Sequence, residues 1–194
     1  MSEAIYNFNN RCLAPMEKEY LSRIKDWRNA QIEVLRQTKL LTDHDQEEWF
    51  RRISHDDRQV VFAIKESDTR NDPLLIGYCG ITNIDFQESK GEISFLMDDK
   101  RAKNDKLYRE DFLSVLYMLC LDGFERFKLD KLYTETYIFR VYHIAILEKF
   151  GLQKNGILKD RKIINERHWD SVIHFISNDE WAEIKRRIRS ELEK

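Results

Sequence analysis

Glycine and proline are scarce in this chain of 194 residues, which has six of the first and two of the second. Without a Ser/Gly-rich linker, a low-complexity stretch or an internal repeat, one domain over residues 1–194 is the expectation. Cysteine is scarce as well. Cys12, Cys79 and Cys120 are odd in number, sit in or near apolar runs and form no CxxC pair, which argues against a disulfide framework and a zinc site. They read as reduced, buried thiols, and no metal is expected. No apolar run reaches membrane-spanning length, and the opening MSEAIYNFNN lacks the basic flank and apolar core of a signal peptide. A cytoplasmic protein with no membrane partner is therefore expected. Net charge is nearly absent too, since 33 Lys and Arg stand against 35 Asp and Glu. That balance gives too little long-range field for a general nucleic-acid binder.

What is present is a well-patterned succession of elements. Tyr20, Ile24 and Trp27 have helical spacing, and Thr42 opens a T-x-x-D start signal before a second helix carrying Trp49, Phe50 and Ile53. Strands are expected over Val60 to Lys65, Leu74 to Asp85 and Glu92 to Met97, as an antiparallel meander with a turn-rich connection from Ser67 to Pro73. Val115, Leu116, Leu119, Gly123 and Phe127 share one face of a helix leading to a strand at Leu132, so strand, crossover helix and strand imply a right-handed parallel pair. The β-formers from Leu132 to Tyr137 give way to a helix with Ile144, Leu147 and Glu148 that Gly151 stops. DSVIHF reads as a later strand. A second capping signal, Ser177 to Glu180, opens an amphipathic tail through Trp181, Ile184 and Ile188, whose Arg186, Arg187 and Arg189 read as a solvated face.

The helix ending Glu148, Lys149, Phe150, Gly151, Leu152 resembles the Glu-Lys-x-Gly-Phe ending common in the GNAT superfamily of N-acetyltransferases. GEISFLMDDKR, YREDF, TETYIFRVYHI and DSVIHF extend the resemblance from about Trp27 to Trp181, toward a branch that includes ribosomal-protein and nucleotide-sugar N-acetyltransferases. The fold implied is α+β: a GNAT-like mixed, mostly antiparallel central sheet flanked by helices, with a splayed parallel strand pair and a C-terminal helix. The co-substrate implied is acetyl-CoA.

The resemblance sets Phe95, Leu96 and Met97 beside the pantetheine arm. In the family, an Arg/Gln-x-x-Gly-x-Gly/Ala segment meets the diphosphate. Here the stretch is DDKRAKNDKLYREDF, without glycine. Lys103, Lys106 and Arg109 are candidate substitutes for it, and a charged surface loop opening a helix is the other reading. Arg140 stands where the family often has a cofactor-facing Asn, and Leu147 where it sometimes has a general-acid Tyr.

Amine acetylation needs a neutral nitrogen at the thioester and a route for its proton. Glu92, at the start of the cofactor strand, is the leading base candidate, against a purely structural carboxylate at a strand edge. His143 is the competing base, against a helix-starting histidine bonded to neighbouring backbone. A Trp-Arg-Asn segment precedes the acceptor-site helices of related nucleotide-sugar enzymes. Its equivalents are Trp27, Arg28 and Asn29, or else a packed Trp beside a capping Asn. Strand alternation puts Glu135 with Tyr137, and Asp170 with His174, on shared faces; together with Arg140 these form either an amine-binding cluster or a closed salt-bridge network.

The function these readings favour is acetyl-CoA-dependent N-acetylation of a primary amine on a small molecule, with a nucleotide-linked amino sugar the specific candidate. A peptide N-terminal or polyamine acetyltransferase is the alternative enzyme. A non-catalytic acetyltransferase-like binding module is the alternative of another class. A homodimer paired through the C-terminal strands is left open.

Overall fold

The computed structural model describes residues 5–67 and 73–192, with side chains in the last helix described up to residue 188. Residues 68–72 of the expected loop, and the side chain of Arg189, lie outside the described residues. In chain order come β1 (Tyr6–Phe8), β2 (Arg11–Pro15), α1 (Leu21–Ala30), α2 (Asp43–Ile53), β3 (Val60–Glu66), β4 (Leu74–Asp85) and β5 (Lys90–Met97). Then follow α3 (Asp99–Ala102), α4 (Asp105–Cys120), β6 (Lys131–Tyr137), α5 (Val141–Phe150), β7 (Gln153–Ile164), β8 (Arg167–Ser177) and α6 (Asn178–Leu192). The fold is α+β, an eight-stranded sheet in the order β1-β2-β3-β4-β5-β6-β8-β7, mostly antiparallel, with flanking helices and a C-terminal helix. Its parallel pair joins Lys90 with Lys131, Gly91 with Leu132 and Glu92 with Tyr133. No helix among the described residues is long and apolar enough to cross a membrane.

The chain divides into two compact units, Met1–Asn83 with Ser94–Leu119, and Ile84–Ile93 with Cys120–Lys194. In the first, Tyr20, Ile24 and Trp27 are buried in one cluster with Ala63, Leu75, Tyr78 and Leu96, as the helical spacing of the first three requires. Thr42 and Asp45 close a capping box at α2, each side chain bonding the other's backbone N–H. Gly80 lies so close to β3 that a Cβ there would run into the Val60 carbonyl. The strands β1 and β2 were not anticipated. Asn9 and Asn10, both at positive φ, turn β1 back onto β2.

In the second unit α4's continuation, Leu121–Arg126, widens into a π-helix, inside which the buried Asp122 is held by Arg126 at 2.6 and 2.9 Å. Gly151 adopts φ 128°, a left-handed conformation only glycine takes without strain, and ends α5. The Ile184 side chain of α6 occupies the space where a Cβ of Gly151 would stand. Trp181 stacks on Phe124 and Phe150, with ring centroids 6.3 and 6.5 Å away.

The box at Thr42 gives a direct test. Thr42→Ala is expected to lower stability by about 1 kcal/mol, seen as a lower urea midpoint with an unchanged m-value. An unchanged midpoint would mean that α2 does not depend on its cap.

Candidate active site

In the first unit, the glycine-free stretch is not a loop. Asp98 accepts from Lys100 N at 2.9 Å and Arg101 N at 3.2 Å, starting the short helix α3. Asn104 then caps α4, its Oδ1 accepting from Leu107 N at 3.1 Å and its carbonyl from Tyr108 N at 2.8 Å. Of the cations expected here, Lys103, Lys106 and Arg109 are all exposed, and Lys103 sits 3.7 Å from Asp99. Exposed cations around the first turn of a 16-residue helix have the donor chemistry that the diphosphate of acetyl-CoA requires. Leu96 and Met97 are buried, and the Met97 carbonyl accepts from Gln31 at 2.8 Å. The Phe95 ring lies 4.4 Å from Phe112 and 5.8 Å from Tyr108.

The arginine that pattern reading passed over is Arg101. It grips Asp111 with Nε at 2.8 Å and a second nitrogen at 2.9 Å, and Glu66 at 2.9 and 3.1 Å. Arg11 adds a bond to the same Asp111 carboxylate at 2.8 Å. Asp111 is wholly buried, and the two guanidiniums are its counter-charges. No local spacing signals it, because Asp111 lies on a separate helix and Glu66 and Arg11 reach this point from distant parts of the chain.

On α1, Trp27 is a core residue with Arg23 over its ring at 5.2 Å. Asn29 is a latch: it donates to Leu41 O at 2.9 Å and accepts from Leu41 N at 2.8 Å and Gln37 at 3.0 Å. Arg28 differs from both. Its guanidinium lies over Trp49 at 5.4 Å and donates to Gln46 Oε1 at 3.3 Å, while Arg28 Nε and Gln46 Nε2 are buried without an acceptor. Burial pushes the Tyr78 phenol upward, and the nearby Arg28 charge opposes this.

In the second unit the expected polar cluster is divided among separate partners. Glu135 accepts from Arg161 at 2.9 Å and Ser171 at 2.7 Å. Asp170 accepts from Lys159 at 2.7 Å and Asp160 N at 3.1 Å, and these bonds hold its carboxyl below the usual range. Tyr137 is buried and stacks on Phe139. Glu92 is buried on β5.

Two histidines lie along α5. His143 is buried on its first turn with Nδ1 3.5 Å from an Arg140 nitrogen. Burial, then the Arg140 charge, then His174 push the His143 pKa well down, so this imidazole is neutral at neutral pH. His174 has no exposed side-chain surface; its Nε2 lies 3.3 Å from Glu148 Oε1, and its Nδ1 is buried without a partner. Asp170 and His174 thus share parity on β8 but not surroundings.

His143 makes stability depend on pH with a definite sign. Its pKa in the fold lies below the ordinary value of about 6.5, so the unfolded chain binds the extra proton first. Its contribution is therefore complete above that value and is lost as pH falls. Between pH 7.5 and 5.5 the wild type is expected to lose more stability than His143→Gln, measured by urea unfolding. Parallel losses would mean that His143 is not held neutral.

Comparison with known proteins agrees with this architecture. A family model described as an acetyltransferase (GNAT) domain matches residues 15–173. No curated protein sequence matches. Among solved structures, a spermidine N-acetyltransferase from Vibrio cholerae in complex with CoA and spermine superposes with a TM-score of 0.79 at 16% identity, over 90% of this chain and 99% of that one. Mutant forms of the spermidine/spermine N-acetyltransferase of Vibrio cholerae give 0.75 at 17% identity, over 91% and 98%. A dodecameric spermidine N-acetyltransferase from the same organism gives 0.74 at 17%, over 90% and 97%.

Proposed function

The chain belongs to the GNAT acetyltransferases, enzymes that take the acetyl group of acetyl-CoA, and on that premise we propose that its acceptor is a small primary amine also bearing an anionic group. A nucleotide-linked amino sugar is the specific candidate. The observation that carries this reading is Arg28. No carboxylate pairs with its guanidinium among the described residues, and Arg28 Nε and Gln46 Nε2 are buried donors without acceptors. Leaving such donors unmet costs about 1–3 kcal/mol each. Phosphate or carboxylate oxygens would satisfy them, whereas a polycation brings only further donors and a like charge.

In this reading Trp27 and Asn29 hold Arg28 in place. Phe95, Leu96 and Met97 run beside the pantetheine arm, Lys103, Lys106 and Arg109 meet the diphosphate, and Arg140 supplies a further cofactor-side cation. Glu92 is the proposed base, its burial on β5 limiting competition from water. His143 is the second base candidate; its imidazole is neutral at neutral pH, and the burial and Arg140 charge that keep it so also weaken it as a base. The reading leans least on Glu135, Tyr137, Asp170 and His174. The first, third and fourth are engaged by Arg161, Lys159 and Glu148, and Tyr137 is a buried ring against Phe139.

A polyamine acceptor is the second reading, favoured by the fold shared with spermidine acetyltransferases. Release of CoA thiol with nucleotide-linked amino sugars, spermidine and a peptide N-terminus decides between them. The amino sugar is expected to give a kcat/KM at least about tenfold above spermidine, and Arg28→Gln to lower it by about ten- to a hundredfold, the worth of a hydrogen bond to a charged group. Glu92→Gln is expected to lower kcat by about a hundredfold or more with little change in acceptor KM. A preference for spermidine, undiminished in Arg28→Gln, would overturn the anionic-acceptor reading.

A further inference from the structure

The family's phosphate segment relies on glycine, and this chain has none between Asp98 and Phe112. Its backbone shows how it manages without. Among the described residues, no position from Asp98 to Lys106 has positive φ. The segment is built as right-handed turns, α3 followed by a capped α4, so every residue can occupy it at ordinary backbone cost.

Such a segment needs another source of rigidity. Helix α3 has four residues, too short to stand by its own hydrogen bonds. Arg101 lies within it and turns inward, away from the exposed Lys103, Lys106 and Arg109. Its planar fork spans two carboxylates from different elements, Asp111 one turn and more into α4 and Glu66 at the end of β3. Arg11 of β2 braces both acids, at 2.8 Å from Asp111 and 3.5 Å from Glu66, and approaches Glu110 at 3.6 Å. With the Asp111 carboxylate wholly buried, this lattice has little freedom to rearrange.

We propose that Arg101 is the positioning residue for the acetyl-CoA diphosphate: through Asp111 and Glu66 it fixes the α3–α4 turn whose outward cations meet the phosphates, replacing the role of glycine. Arginine supplies geometry here and the lysines supply charge. The proposal rests on acetyl-CoA as donor and is independent of which amine accepts the acetyl group.

Calorimetric titration with CoA and with pantetheine, which lacks the diphosphate, tests it without requiring turnover. The wild type is expected to bind CoA well above pantetheine. Arg101→Met is expected to weaken CoA binding at least tenfold while pantetheine affinity stays within twofold, and Arg101→Lys, which keeps the charge but not the fork, to recover little of the loss. Glu66→Gln removes one arm and leaves Asp111 paired; a three- to tenfold loss for CoA alone is expected, and this variant decides the matter if Arg101→Met does not fold. Equal weakening of both ligands, or unchanged CoA affinity, would overturn the proposal. Failure of the wild type to bind CoA would overturn it as well. Normal CoA binding without amino-sugar acetylation would strike only the acceptor reading.

Discussion

The buried carboxylate of Asp111 is the constraint on which the first unit turns. A lone carboxylate taken out of water costs several kcal/mol, and removing one partner of such a charge typically costs about 3–5 kcal/mol. Asp111 escapes that penalty because Arg11 and Arg101 converge on it with three hydrogen bonds. The same three bonds tie β2 and α3 to α4. Charge neutralisation and chain geometry are thus one requirement, and neither arginine can move without exposing the acid's debt to the others.

The elements were legible where one local signal sufficed. Gly151 marked the end of α5, Thr42 and Asp45 the start of α2, and the β-forming run after the turn-rich Ser67 to Pro73 the limits of β4. The two N-terminal strands were missed because three and five residues carry little periodicity, and their reversal is made by Asn9 and Asn10 rather than glycine. The stretch from Asp98 to Phe112 was half legible. Its cations were seen, but its conformation was not, since α3 and α4 are specified by the caps Asp98 and Asn104 and by partners far away in sequence.

The polar residues of the second unit show a different limit. Parity put Asp170 and His174 together along β8, yet depth separates them: one meets Lys159 at a partly exposed site, and the other is sealed beneath α5 against Glu148. Arg161 and Lys159, the cations that claim Glu135 and Asp170, lie on β7 where its register with β8 shifts between Leu158 and Lys162. A bulge changes which side chains meet, and period-two counting carries no information about it. On α1 the sequence marked Trp27, Arg28 and Asn29 alike. Only the structure distinguishes a core ring, a latch and an arginine with unspent hydrogen-bonding capacity.

The seat of Ile184 in the space left by Gly151 bears on how the protein is made. A ribosome delivers Phe124 and Phe150 well before Trp181 and Ile184, at about 5–20 residues per second. Until α6 arrives, the apolar rings it covers have no lid, and the hollow at Gly151 has no occupant. During synthesis the second unit therefore passes through an interval in which those rings and that hollow lack their cover.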